Sequence, residues 1–150
     1  MISIHQHTDY ENLNFQQSYR QYYDDLGITD FKHWDRLFDD MAKEENFNTY
    51  LLVKEDTIIG FIQCQTIELT HWFFKEHCGF IREFWVSKAN RKQGHGDTLF
   101  NVAIKTFKAQ KLKKAILTSE KTERFYTNRG FTCDNSYHAL NKDTVYVKSI

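Results

Sequence analysis

Residues 91–96 read Arg-Lys-Gln-Gly-His-Gly and hold two of the chain's six glycines. They lie between an aromatic, strand-like run, FIREFWVS, and the segment DTLFNVAIKTFK, whose apolar residues recur with helical spacing. At a strand-to-helix junction the first helical N–H groups lack intrahelical partners, and the helix dipole adds partial positive charge there. Glycine removes the Cβ that would hold a ligand away and tolerates unusual backbone angles. A phosphate or diphosphate is the ligand such a turn suits. Lys88, Arg91 and Lys92 add mobile positive charge beside it. Asp97 suits the dipole in the first turn but repels an anion, so it is expected to point elsewhere. The segment lacks the P-loop pattern. It fits a Rossmann fingerprint only at Gly94 and Gly96, because Leu99 stands at the third glycine position and the segment lies mid-chain. It satisfies [RQ]-x-x-G-x-[GA] in full. On the hexapeptide alone two readings stay open: a phosphate cradle, or two glycines that merely permit a tight turn.

The elements that must position this turn follow from periodicity. ISIHQHT alternates and is expected to be a strand; Tyr10–Leu26 is a polar helix ending near Gly27. Thr29 or Asp30 is expected to cap a second helix carrying Phe31, Trp34, Leu37, Phe38 and Met41. YLLV and IIGFIQCQTI form a hairpin across KEDT, and THWFFKEHCG is expected to be a loop leading to FIREFWVS. The helix after the glycines presents Leu99, Val102, Ala103 and Phe107 on one face. KAILTS reads as a buried strand, EKTERFYTNRG as a helix, and FTCDNSYHAL and TVYVKSI as closing strands. The order β-α-α-β-β-β-α-β-α-β-β gives a mixed α/β (α+β) fold, with about four helices covering a largely antiparallel sheet of about seven strands.

Composition narrows the functional classes. A chain of 150 residues, 41% hydrophobic and 27% charged, is expected to fold as one domain over 1–150. Twenty basic residues balance twenty acidic ones, which argues against a nucleic-acid or membrane-surface protein. Cys64, Cys78 and Cys133 form no C-x-x-C pair, so buried free thiols in a reducing cytoplasm are expected. No signal-peptide pattern opens the sequence, and no apolar run suffices for a membrane span.

Beyond composition, residues 47–150 resemble the GNAT superfamily of acetyl-CoA-dependent N-acetyltransferases. Trp85-Val86 ends a strand that runs into Arg91-x-x-Gly94-x-Gly96; an amphipathic helix and a buried strand follow; then come Phe125-Tyr126 and Gly130-Phe131 in the FYxxxGF signature. Gly60 falls where the family often has a glycine entering its third strand. The resemblance implies that backbone amides of Gln93, Gly94, His95, Gly96 and Asp97 hold the diphosphate of acetyl-CoA, with Arg91, Lys92 and Thr98 around it. It implies that the edge of Phe84, Trp85 and Val86 pairs with the pantetheine arm, where that strand splays from its neighbour. The chain departs from the family at Ser87, Lys88 and Ala89, where Pro and an acidic residue are usual, at Ser119, where an Asn commonly bonds the cofactor, and at Thr122, usually Ala.

The implied reaction is direct attack of an amine on a thioester. An alkyl ammonium, with a pKa of about 10, must first lose a proton, and the departing thiolate gains from a proton donor. Tyr126 is the candidate acid, since a phenol stays protonated at neutral pH; packing on the core is the alternative. Glu83, of the same side-chain parity as Trp85, is the candidate base; a surface position paired with Arg82 is the alternative. Neither His5 and His7 nor His71, His77 and Cys78 make a recognised ligand set, so no metal is expected. His95 reaches a phosphate or packs, and His138 is a candidate for the acceptor pocket. Asp24, Asp25, Asp35, Asp39 and Asp40 offer an acidic approach for a cationic acceptor or form an ordinary solvated face. A small-molecule primary amine is the expected acceptor and a homodimer is compatible with the aromatics. A non-catalytic acyl-CoA-binding or regulatory module is the rival.

Overall fold

The computed structural model describes residues 1–120 and 124–150. Seven strands form one sheet: β1 (Ile2–His7), β2 (Phe47–Lys54), β3 (Thr57–His71), β4 (Phe74–Val86), β5 (Lys114–Ser119), β6 (Thr132–Cys133) and β7 (Thr144–Ser149). Their spatial order is β1-β2-β3-β4-β5-β7-β6, antiparallel throughout except where β4 meets β5. The helices are α1 (Leu13–Asp25), α2 (Trp34–Lys43), α3 (His95–Ala109) and the single turn α4 (Arg124–Thr127). Among the described residues no helix is long and apolar enough to cross a membrane.

Local chemistry explains most boundaries. Asn12 caps α1 by accepting the Phe15 N–H at 2.9 Å, and Gly27, left-handed at φ 78°, closes it while Ile28 N–H donates back to Tyr23 O. Glu55 and Asp56 are both left-handed, which suits the two-residue hairpin turn between β2 and β3. One sheet face packs under α1 and α2 through Phe15, Tyr19, Phe38, Phe61 and Trp85. The other packs under α3 through Ile62, Cys64, Leu99, Ala103 and Phe107.

Three expectations fail. THWFFKEHCG is not a loop: β3 and β4 continue through it as one long antiparallel hairpin, out to His71 opposite Phe74. Cross-strand pairing, including Lys75 to Glu68 at 3.5 Å, holds a segment whose own sequence lacks alternation. Helix α2 starts at Trp34 with His33 as the capping residue, not at Thr29 or Asp30. Phe31 stays outside it and packs edge-on against Tyr23 and Trp34. FTCDNSYHAL pairs only at Thr132 and Cys133, after which Asp134 turns the chain by accepting the Ser136 N–H at 2.9 Å. Residues 121–123, including Thr122 and most of the first turn expected for the EKTERFYTNRG helix, lie outside the described residues.

The feature that shapes the site is a fork. β4 pairs with β5 only at Gly79–Ala115 and Phe80–Ile116. Immediately beyond, Gln63 faces Glu83 while Cys64 faces Ile81, so Arg82 is an extra residue on β4, a β-bulge. A bulge bends its strand and re-aims side chains. From Ile81 to Val86 no strand among the described residues pairs with this edge of β4, while β5 runs on against β7 to Ser119. Along this edge the backbone groups are not taken up by a neighbouring strand, though Val86 O accepts from Arg91 Nε at 2.8 Å.

Candidate active site

Two cavities of about 460 Å³ each open on the fork. They share Tyr22, Asp25, Leu26, Phe84 and Tyr126 as a common wall. The first cavity holds the glycine turn: Arg91, Lys92, Gly94, His95, Gly96 and Asp97 line it. Phe84, Trp85 and Val86 close its other side. The second is bounded by Glu83, Ser119, Glu120, Asn141 and Asp143, with Arg82 at its edge.

The turn is built for close approach. Gly94 caps α3 in the left-handed region at φ 83°, and Lys92 is left-handed as well. The first amide of α3 to find a helical carbonyl is that of Thr98, to Gly94 O at 3.2 Å, so the amides before it lack that partner. A Cβ on Gly96 would come within 2.8 Å of Phe125 Cε2 and 3.2 Å of Phe84 Cζ. Glycine therefore lets Phe84 and Phe125 stack at 5.2 Å against the start of the helix. The Asp97 carboxylate pairs with Arg129 Nε at 2.5 Å, while Asp97 lines the same cavity as the glycine turn. Arg129 in turn lies over the Phe125 ring at 3.4 Å. His95 is buried rather than solvent-facing, and its Nε2 has no hydrogen-bond partner among the described residues. Gln93 and Thr98 are exposed and outside both linings, with Thr98 Oγ1 donating back to Gly94 O. Ser119 sits in the second cavity, apart from the glycine turn.

Sequence reasoning missed the part played by α1. Tyr19, Tyr22 and Asp25 project from one side of it, three residues apart, and each makes one polar contact with the sheet. Tyr19 donates to Gln63 Oε1 at 2.9 Å, and the Tyr22 hydroxyl donates to Glu83 Oε2. Trp85 Nε1 donates to Asp25 Oδ2 at 2.9 Å. Gln63 and Glu83 are themselves cross-strand partners. No local signal marks these contacts; the i, i+3, i+6 spacing of polar-tipped residues on α1 is the one available hint.

Glu83 is neither a surface residue nor a partner of Arg82, whose guanidinium lies 3.3 Å from Glu44 and 3.2 Å from Gln65. Burial raises the Glu83 carboxyl above its usual range, against the opposing pull of the Tyr22 bond and the Arg82 charge. The Tyr22 phenol is pushed well above its ordinary value by burial and by the Glu83 charge, so it stays a donor. Tyr126 is half-buried, packs against Phe100, Phe131 and Tyr146, and lines both cavities together with Tyr22.

Other expectations sort by position. Asp25 alone of the α1 and α2 acids reaches the site; Asp39 pairs with Lys43 and Asp40 with Arg36 on the far face. His138 lines shallow cavities beside Ala139, not the second cavity of the fork. Cys64 and Cys78 are buried, their thiols pushed up to about 12 and about 11 by burial, whereas Cys133 is exposed, contrary to expectation. Among the described residues no cluster of three His, Cys, Asp or Glu is placed to hold a metal.

The sequence matches the acetyltransferase (GNAT) family over residues 8–131. The chain belongs to that family and is an acyltransferase of the N-acetyltransferase type. The same architecture occurs in Arabidopsis thaliana NAA60 in complex with a bisubstrate analogue, at TM-score 0.73, 15% identity and 99% of each chain covered. It occurs in a predicted acetyltransferase from Clostridium acetobutylicum with acetyl-CoA, at TM-score 0.76, 17% identity and 94% of this chain and 96% of that one. An aminoglycoside acetyltransferase from an uncultured soil metagenomic sample, in complex with sisomicin, gives TM-score 0.67 at 15% identity, covering 85% and 84%. At these identities the likeness is one of fold. No curated protein matches the chain.

Proposed function

We propose that this protein transfers an acetyl group from acetyl-CoA to a primary amine by direct attack, with Glu83 as base and Tyr126 as acid. The observation that carries this is the shared wall: an amide-rich glycine turn lines one cavity, a carboxylate lines the other, and Tyr126 borders both. The glycine turn suits a diphosphate because its amides lack helical partners and Gly96 admits no Cβ without displacing Phe125. The Val86 edge suits the pantetheine amides, once Arg91, whose Nε now donates to Val86 O at 2.8 Å, turns to the phosphates.

The chemistry balances with these groups alone. Glu83 takes one proton from the acceptor ammonium, freeing the nitrogen lone pair. The C–N bond forms at the acetyl carbonyl carbon and the C–S bond breaks. Tyr126 gives its proton to the departing sulfur and regains one from the nitrogen, which sheds it on becoming an amide. Glu83 releases its proton to solvent. The net change is one proton released per amide formed. Carboxylates of Glu83, Glu120 and Asp143 make the second cavity favourable to an ammonium group, which supports a small cationic amine as acceptor.

Isothermal titration with coenzyme A, followed by a panel of amines with thiol-release detection, tests the reading. Heat of association and turnover on at least one amine are the expected results. Binding without turnover on any amine favours a non-catalytic acyl-CoA module, and absence of binding removes the proposal. Asp25 gives a second check. Its carboxylate lies 3.7 Å from Arg91 and 3.9 Å from Lys88, beside the place a diphosphate would occupy. Asp25→Asn keeps an acceptor oxygen for the Trp85 indole and removes the charge. It is expected to tighten coenzyme A binding roughly 3–10-fold, since a like charge a few ångströms away costs on the order of 1 kcal/mol in water. Calorimetry at low salt reads the change.

A further inference from the structure

We propose that Tyr22, on α1, is a positioning residue that holds the Glu83 carboxylate in place and sets its proton affinity for the transfer. This rests on the reading of Glu83 as base. The geometry is specific. The Tyr22 hydroxyl donates to one oxygen, Oε2, of a carboxylate whose residue lines the second cavity. Tyr22 is itself 8% exposed and fixed edge-on against Tyr19 at 5.6 Å and Phe61 at 5.4 Å. Its neighbours on α1 hold the helix in register over the bulge: Tyr19 on Gln63 before it, Asp25 on Trp85 after it. A carboxylate re-aimed by a bulge at the mouth of a fork has no rigid ladder on its open side. A bond from a packed helix supplies that rigidity, which is what a base needs in order to meet a proton at hydrogen-bond distance.

The sign of the effect on protonation is fixed. A phenol donating to a carboxylate favours the ionised form, so losing it makes the carboxyl harder to ionise. The other groups facing Glu83 are Arg82 on β4, which favours ionisation, and Tyr19 and Tyr23 on α1. Asp25 on α1, Tyr126 on α4, Glu120 after β5 and Asp143 before β7 line the same cavity. Of the acids among them, any that is ionised opposes the Glu83 charge, and Tyr22→Phe alters none of these groups.

The test compares Tyr22→Phe, Glu83→Gln and the parent protein by pH–rate profile and by 13C NMR titration of the Glu83 carboxyl in the ligand-free protein. Tyr22→Phe keeps the ring and its packing. A bond to a charged group corresponds to a rise of about 1–2 pH units in both the acid limb of kcat/KM and the carboxyl titration midpoint. Parallel rises in both, with Glu83→Gln impaired, are the expected result. If Glu83→Gln turns over like the parent, Glu83 is not the base and the proposal falls with that reading. If Glu83→Gln is impaired but Tyr22→Phe moves neither midpoint, the proposal alone is overturned and the base stands. Should Tyr22→Phe fail to fold, incorporation of 3-fluorotyrosine supplies a more acidic phenol in the intact fold. The Glu83 midpoint is then expected to fall, and an unmoved midpoint overturns the proposal.

Discussion

Tyr126→Phe is expected to lower acetyl transfer by about 10²–10⁴-fold while leaving coenzyme A binding in place. That loss corresponds to a barrier about 3–5 kcal/mol higher. The phenylalanine keeps the ring contacts with Phe100, Phe131 and Tyr146, so folding is expected to change by less than about 1 kcal/mol. Only the hydroxyl is removed, and with it the proton offered to the departing sulfur. A thiolate with a conjugate-acid pKa of about 8.5 is basic enough to gain from that proton as it departs. A matched pair of measurements decides: single-turnover rates on an amine identified by screening, and calorimetry with coenzyme A. A lower rate with unchanged binding fits the acid role. An unchanged rate assigns Tyr126 to packing alone.

Gly79→Ala is expected to produce the largest loss of stability among the glycine-to-alanine changes. A Cβ at that position would come within 2.3 Å of Phe107 Cγ, far inside carbon–carbon contact distance. Phe107 is 1% exposed and sits in the core between α3 and the sheet, so its ring has no free space to enter. Overpacking of this kind costs about 1–3 kcal/mol or more, which lowers the melting temperature by roughly 3–10 °C. Alanine's restriction of the unfolded chain offsets less than about 1 kcal/mol of that. Gly79 also forms one of the two rungs joining β4 to β5, so the strain falls at the apex of the fork. A double-mutant cycle with Phe107→Leu gives a sharp check. The smaller side chain vacates the clash, so Gly79→Ala should cost less in that background than in the parent. Equal cost in both backgrounds would show that the ring is not the obstacle.

These expectations differ in how far the sequence foreshadows them. The glycine turn, the cap at Gly27, the turn at Glu55 and Asp56 and the strong helix from His95 to Ala109 are written in short-range signals. Each depends on residues within one or two turns of chain: a left-handed angle, an unpaired amide, an apolar face. The same holds for the family signature at Phe125-Tyr126, which needs only its own spacing. Elements held by partners were read less well. The outer half of the β3–β4 hairpin lacks alternation and is a strand because a neighbour pairs with it. The short β6 fails to extend because Asp134 offers its own carboxylate to the backbone.

By itself, then, the residue order determined the glycine turn and the helix behind it, and through its family resemblance it named the acid and base candidates. The fold decided their surroundings. Tyr22 meets Glu83 across 61 positions of chain, and Asp25 meets Trp85 across 60. Such contacts exist only once β3 and β4 are in register, the bulge at Arg82 has turned the carboxylate, and α1 has docked three residues deep on the sheet. A contact at that separation is set by the packing of whole elements, and no local preference of tyrosine or aspartate encodes it.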